Sequence, residues 1–111
     1  MQRNVDKVIL SWDPKVKVLA VEVWDLGKLY DLADHKKVWQ ISNYDPKNPP
    51  TAQTGKEPSI GSPYELGQIP AGFFNIDSTN LKLAKGSRYS VELRALTEKG
   101  LPTLGTYTLT Y

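Results

Sequence analysis

The chain has 111 residues, 40% of them hydrophobic and 23% charged, which is the length and apolar content of one domain spanning residues 1–111. It has no cysteine, which excludes a disulfide framework, a thiolate zinc site, an iron–sulfur cluster and a cysteine nucleophile; its one histidine, His35, excludes multi-histidine metal centres and argues against a Ser-His-Asp site. Fourteen Lys and Arg against twelve Asp and Glu leave a charge of +2, and the signs are mixed along the chain.

A nucleic-acid or anionic-membrane surface needs cations presented together. The densest basic stretch, Lys82, Lys85, Arg88, Arg94 and Lys99, is interrupted by Glu92 and Glu98 and reads as a solvated strand face. No nucleic-acid partner is expected. The longest apolar run is Val18 to Val21, far short of the ~20 residues that cross a bilayer as a helix, so no transmembrane segment is expected. Met1-Gln2-Arg3-Asn4 does not read as a signal peptide. The chain fits either a cytoplasmic protein or one from which an export signal has been removed.

Strand periodicity dominates. Lys7 to Trp12 puts Val8, Leu10 and Trp12 on one face, and Asp13-Pro14 ends the run because proline removes an amide donor. Lys15 to Trp24 repeats the pattern, with Leu19, Val21 and Val23 on one face and Val18, Ala20, Glu22 and Trp24 on the other. Asp25 to Lys37 reads as a loop with room for one helical turn. Val38 to Ser42 is a short strand, with Trp39 and Ile41 on one face.

Asn43 to Pro63 then carries five prolines, two glycines and almost no aliphatic residues, so this 21-residue segment reads as a mobile or a binding loop. Tyr64 to Leu66 reads as a short edge strand, Gly67 to Gly72 as a turn region, and Phe73 to Ile76 as a further apolar cluster. Arg88 to Thr97 alternates Tyr89, Val91, Leu93 and Ala95 with Ser90, Glu92 and Arg94; Leu104 to Tyr111 alternates Tyr107, Leu109 and Tyr111 with threonines. With Glu98-Lys99-Gly100 between them, the two form a hairpin. About seven short strands and no long amphipathic helix predict an all-β, antiparallel two-sheet sandwich. The expected core is Val8, Leu10, Trp12, Leu19, Val21, Val23, Tyr89, Val91, Leu93, Tyr107 and Leu109.

Leu83-Ala84-Lys85-Gly86-Ser87-Arg88-Tyr89-Ser90-Val91-Glu92-Leu93 resembles the tyrosine-corner segment of fibronectin type III domains, with a leucine six positions before the tyrosine and a glycine between them. Val8 to Pro14 is similar to that family's second strand with its core tryptophan. An immunoglobulin-like or related bacterial sandwich is the neighbouring resemblance. The departures are a cramped first strand in Gln2 to Asp6, the long segment Asn43 to Pro63 and the lack of an Arg-Gly-Asp tripeptide. The resemblance implies a noncatalytic, extracytoplasmic interaction or accessory module, in a secreted bacterial protein or an envelope-attached lipoprotein.

Candidate site residues are aromatic. Trp24, Tyr30, Trp39, Tyr44 and Tyr64 lie outside or beside the expected core; if Trp24 and one or two of the tyrosines are exposed together, they make a surface suited to sugars or proteins. The alternatives are a carbohydrate-binding module using these residues and a hydrolase built on Asp31, Asp34 and His35, in which Asp31 and His35 share a face if that stretch makes a helical turn. No catalytic residue, metal or cofactor is assigned. An unpaired terminal strand such as Thr106 to Tyr111 could add to a partner sheet or mediate a dimer.

Overall fold

The computed structural model describes residues 8–27, 35–44, 58–76, 81–97 and 99–111. Seven strands follow in order: β1 (Ile9–Leu10), β2 (Lys17–Asp25), β3 (Lys36–Ser42), β4 (Tyr64–Glu65), β5 (Phe74–Asn75), β6 (Arg88–Leu96) and β7 (Pro102–Thr110). They form two antiparallel sheets, one of two strands (β1-β4) and one of five in the order β5-β3-β2-β6-β7. This is the all-β sandwich that the alternation predicts. Tyr30, Asp31, Asp34 and most of the proline-rich segment lie outside the described residues, as does the candidate helical turn before His35; His35 itself is exposed.

The inner face of the five-stranded sheet carries Val21 and Val23 of β2, Trp39 and Ile41 of β3, Tyr89, Val91 and Leu93 of β6, and Leu109 of β7. Val8, Leu10, Tyr64, Leu66, Ile60 and Phe73 close over them. Among the described residues the covering sheet has two strands, and segments outside the strands, around Ile60 and Phe73, supply part of the lid.

β6 follows its expected alternation throughout. β2 does not, because one extra residue interrupts its pairing with β6: Val18 stands opposite Ala95, and Ala20 already stands opposite Arg94. Val18 therefore joins the core at 1% exposure, while Leu19, expected inside, is only partly buried. A second irregularity between Val23 and Trp24 makes Val38 the extra residue of β3.

Two other expected core residues lie at its margin. Trp12 and Tyr107 are partly buried, Trp12 donating its indole N–H to Val16 O (3.2 Å) and Tyr107 its hydroxyl to Ser11 O (3.1 Å). The fully buried tryptophan is Trp39, held opposite Val23 by the β2–β3 register, with its Nε1 lacking a partner among the described residues.

Tyr89 acts as the sequence predicts: its hydroxyl reaches back five residues and accepts the Ala84 N–H at 2.7 Å. That amide belongs to the turn entering β6, where Gly86 has φ 83° and Ser87 N–H donates to Ala84 O (3.2 Å). The segment read as a proline-rich loop also contains a core anchor. Ile60 is buried and exchanges two backbone hydrogen bonds with Val18, at 2.8 and 3.2 Å. Near it, Gly72 has φ 85°, and a Cβ there would lie 2.5 Å from Pro58 Cγ.

Two stability measurements check this description. Tyr89→Phe leaves the Ala84 amide without its acceptor and is expected to lower urea-unfolding stability by about 1–3 kcal/mol; unchanged stability would remove Tyr89 from the corner role. Gly72→Ala should destabilise more than Gly86→Ala: both glycines have left-handed φ, but a Cβ at Gly86 meets nothing within 4 Å.

Candidate functional site

The outer face of the five-stranded sheet is set by the same registers. One row crosses all five strands as Phe74, Ser42, Ala20, Arg94 and Leu104. Along three strands the next row places Gln40, Glu22 and Glu92 side by side, with Thr106 beyond, and the third aligns Lys37, Trp24, Ser90 and Thr108.

Ala20 and Ser42 are small and buried although they face outward, and they border a depression of about 680 Å³. Its other lining residues include Gln40, Tyr44, Glu92, Arg94 and Leu104. Tyr44 and Leu104 are both exposed, at 39% and 59%, so the depression has apolar walls at two ends. The turn carrying Tyr44 is fixed by its neighbours: Ser42 Oγ donates to Tyr44 O (2.8 Å), Asn43 N–H to Leu19 O (3.0 Å) and Asn43 Nδ2 to Pro58 O (3.1 Å).

Beside the depression sits a buried carboxylate. Glu22 is 5% exposed and faces Glu92 across the β2–β6 pair, an arrangement of like charges that needs nearby cations. Arg94 and Lys37 supply them, at 3.8 and 3.9 Å from Glu22 Oε1, and the Trp24 indole N–H donates to Oε2 at 3.4 Å. At those separations the cations act mainly as charges rather than through short hydrogen bonds. The Arg94 side chain is 68% exposed, so its guanidinium retains donors for a molecule in the depression.

The structure separates the predicted aromatic residues. Trp39 has no exposed surface and Tyr64 is buried, its hydroxyl donating to Gln68 O at 2.5 Å; both belong to the core, because the alternation of β3 and the β1–β4 pairing turn them inward. Trp24 is half-buried on the outer face, with Lys37 Nζ 5.8 Å from its ring centroid. Tyr44 follows the end of β3 that pairs with Ala20, whereas Trp24 pairs with Lys37 near the other end. They do not form one platform. Gln40, Arg94 and Leu104 carry no site signal in the sequence beyond Ala20, a small residue on the outward face of a strand whose outward neighbours are large. Among the described residues no group of three or more His, Asp or Glu could hold a metal ion.

Burial pushes the Tyr64 phenol well above the usual tyrosine range. The folded state then retains a proton that the unfolded chain releases, so stability is full below about pH 10 and falls as pH rises above it. Tyr64→Phe should be less stable than the parent near neutrality, having lost the bond to Gln68, and the gap should narrow in urea titrations above about pH 10. A constant gap would show that this phenol does not govern alkaline stability. No protein-family model, curated protein or solved structure matches the chain.

Proposed function

We propose that the chain is a noncatalytic interaction module of fibronectin type III-like or immunoglobulin-like type, and that it takes a protein or glycan partner at the depression bordered by Ala20 and Ser42. The observation that carries this reading is the depression itself. It combines two small buried outward residues, apolar walls at Tyr44 and Leu104, and the exposed guanidinium of Arg94. Concave sites that mix apolar surface with a few oriented polar groups are where ligands bind.

Two features support the sandwich type. In immunoglobulin-like folds the third, sixth and seventh strands share a sheet, and a tyrosine near the start of the sixth bonds back to the backbone upstream. Here β2, β6 and β7 are likewise adjacent in one sheet, and Tyr89 is the second residue of β6. The same resemblance supports an extracytoplasmic setting, in a secreted or envelope-associated protein.

The glycan reading moves from the aromatic set expected from sequence to Tyr44, Gln40 and Arg94, which line one cavity. Titration of the isotope-labelled chain with a panel of soluble glycans should shift amide resonances of Gln40, Tyr44, Arg94 and Leu104, and Arg94→Ala should weaken the response about tenfold, the loss of one charge-assisted hydrogen bond. A flat response across the panel removes the glycan reading in favour of a protein partner. Saturable shifts centred elsewhere overturn the depression as the site.

A further inference from the structure

Among the described residues the four sheet edges differ in length. β1, β4 and β5 are two residues each, whereas β7, at one edge of the larger sheet, has nine. Long edge strands are ordinarily blunted by charges, bulges or prolines. β7 has no charged side chain, its register with β6 runs without a shift, and its only proline is its first residue, Pro102.

The direction of its backbone groups follows from the hairpin. Tyr111 N–H donates to Ser87 O and Thr97 N–H to Leu101 O, both at 2.9 Å, so the odd-numbered residues of β7 face β6. Leu104, Thr106 and Thr108 therefore aim their N–H and C=O groups away from the sheet. Among the described residues no strand pairs with that edge.

We propose that this edge is a homodimer interface in which β7 pairs antiparallel with β7 of a second copy about a two-fold axis at Thr106. Several observations favour a second copy over a different chain. In this register Thr106 faces its own counterpart and Leu104 faces Thr108, so every outward donor meets an outward acceptor and six backbone hydrogen bonds form, two at each of three pairs. No charge is brought opposite another charge, and threonine pairs suit adjacent strands. Leu104, 59% exposed in one chain, is covered by the partner's Thr108. Pro102, which has no N–H to donate, lies beyond Leu104 and ends the ladder.

The interface shares Leu104 with the depression but is centred on Thr106, which does not line it, so substitutions at Thr106 test the interface separately from the ligand site. Sedimentation velocity over a concentration series should give a reversible species of twice 12.4 kDa. Thr106→Lys sets two cations directly opposite each other and should leave a monomer, as should Thr106→Glu, while an equimolar mixture of the two variants should restore the dimer. Since the chain has no cysteine, Thr106→Cys supplies a unique thiol whose Cα would lie about 5.5 Å from its counterpart, within disulfide reach. It should crosslink at least tenfold faster than Thr103→Cys, whose counterpart in this register is about 20 Å away. A parent chain monomeric at every concentration, a Thr106→Lys chain as dimeric as the parent, a mixture of charge variants that stays monomeric, or equal crosslinking rates would each overturn the proposal.

Discussion

The extra residue at Leu19 governs what the proline-rich segment can do. By shifting β2 one place against β6, it turns Val18 inward, where Val18 pairs through its backbone with Ile60, and it leaves the Leu19 carbonyl to accept the Asn43 amide. Both ends of the 43–63 segment are thus tied to one irregularity in the central strand. Asn43 also holds Pro58 through its side chain, so the departing and returning chains are bonded to each other as well as to β2. A bulge of this kind disrupts a ladder locally and redirects side chains; its freed groups are satisfied by the segment it anchors, and Tyr44 is fixed beside Ser42 at the wall of the depression as a consequence.

The elements legible in the sequence are those that keep strict alternation. β6 and β7 alternate without a bulge, so their faces, their hairpin and the Tyr89 corner were readable from residues 83–111. β2 was readable as a strand but not in its first half, because a period-two pattern carries no mark of where one residue is left over. Ile60 is one isoleucine among prolines and glycines, and burial of a lone residue depends on a partner 42 positions away in sequence. The candidate site was less legible still. Aromatic residues draw attention as surface platforms, but Trp39 and Tyr64 serve the core, and only pairing registers reveal that Trp24 and Tyr44 lie towards opposite ends of β2 and β3.

The outer face balances two demands. Burying Glu22 opposite Glu92 is unfavourable in itself, and it is offset by Arg94, Lys37 and the Trp24 indole, each of which could otherwise serve a ligand. Trp24 is consequently committed to the sheet, its ring approached by Lys37 and its N–H directed at the carboxylate. Arg94 is different, because it is largely exposed and, among the described residues, its contact with Glu22 is a long charge contact. Its exposed donors can serve a ligand while the guanidinium stays near Glu22, whereas drawing it away would leave the buried carboxylate to Lys37 and Trp24 and lower stability.

The two proposed surfaces meet at Leu104, which stands at the end of the row that crosses the depression and also on the free edge of β7. With two copies paired about Thr106, the row Phe74, Ser42, Ala20, Arg94 and Leu104 continues into the partner's Thr108, Ser90, Trp24 and Lys37. Adjacent strands lie about 4.8 Å apart, so the partner's Trp24 would sit three strands from Leu104, about 14 Å along the face. A small ligand would occupy one depression and be indifferent to dimerisation. An extended glycan or a partner strand would meet both depressions across the paired β7 strands, and would gain from the second site through effective concentration rather than through any new contact. Dimerisation and ligand length are therefore coupled by the geometry of a single sheet face.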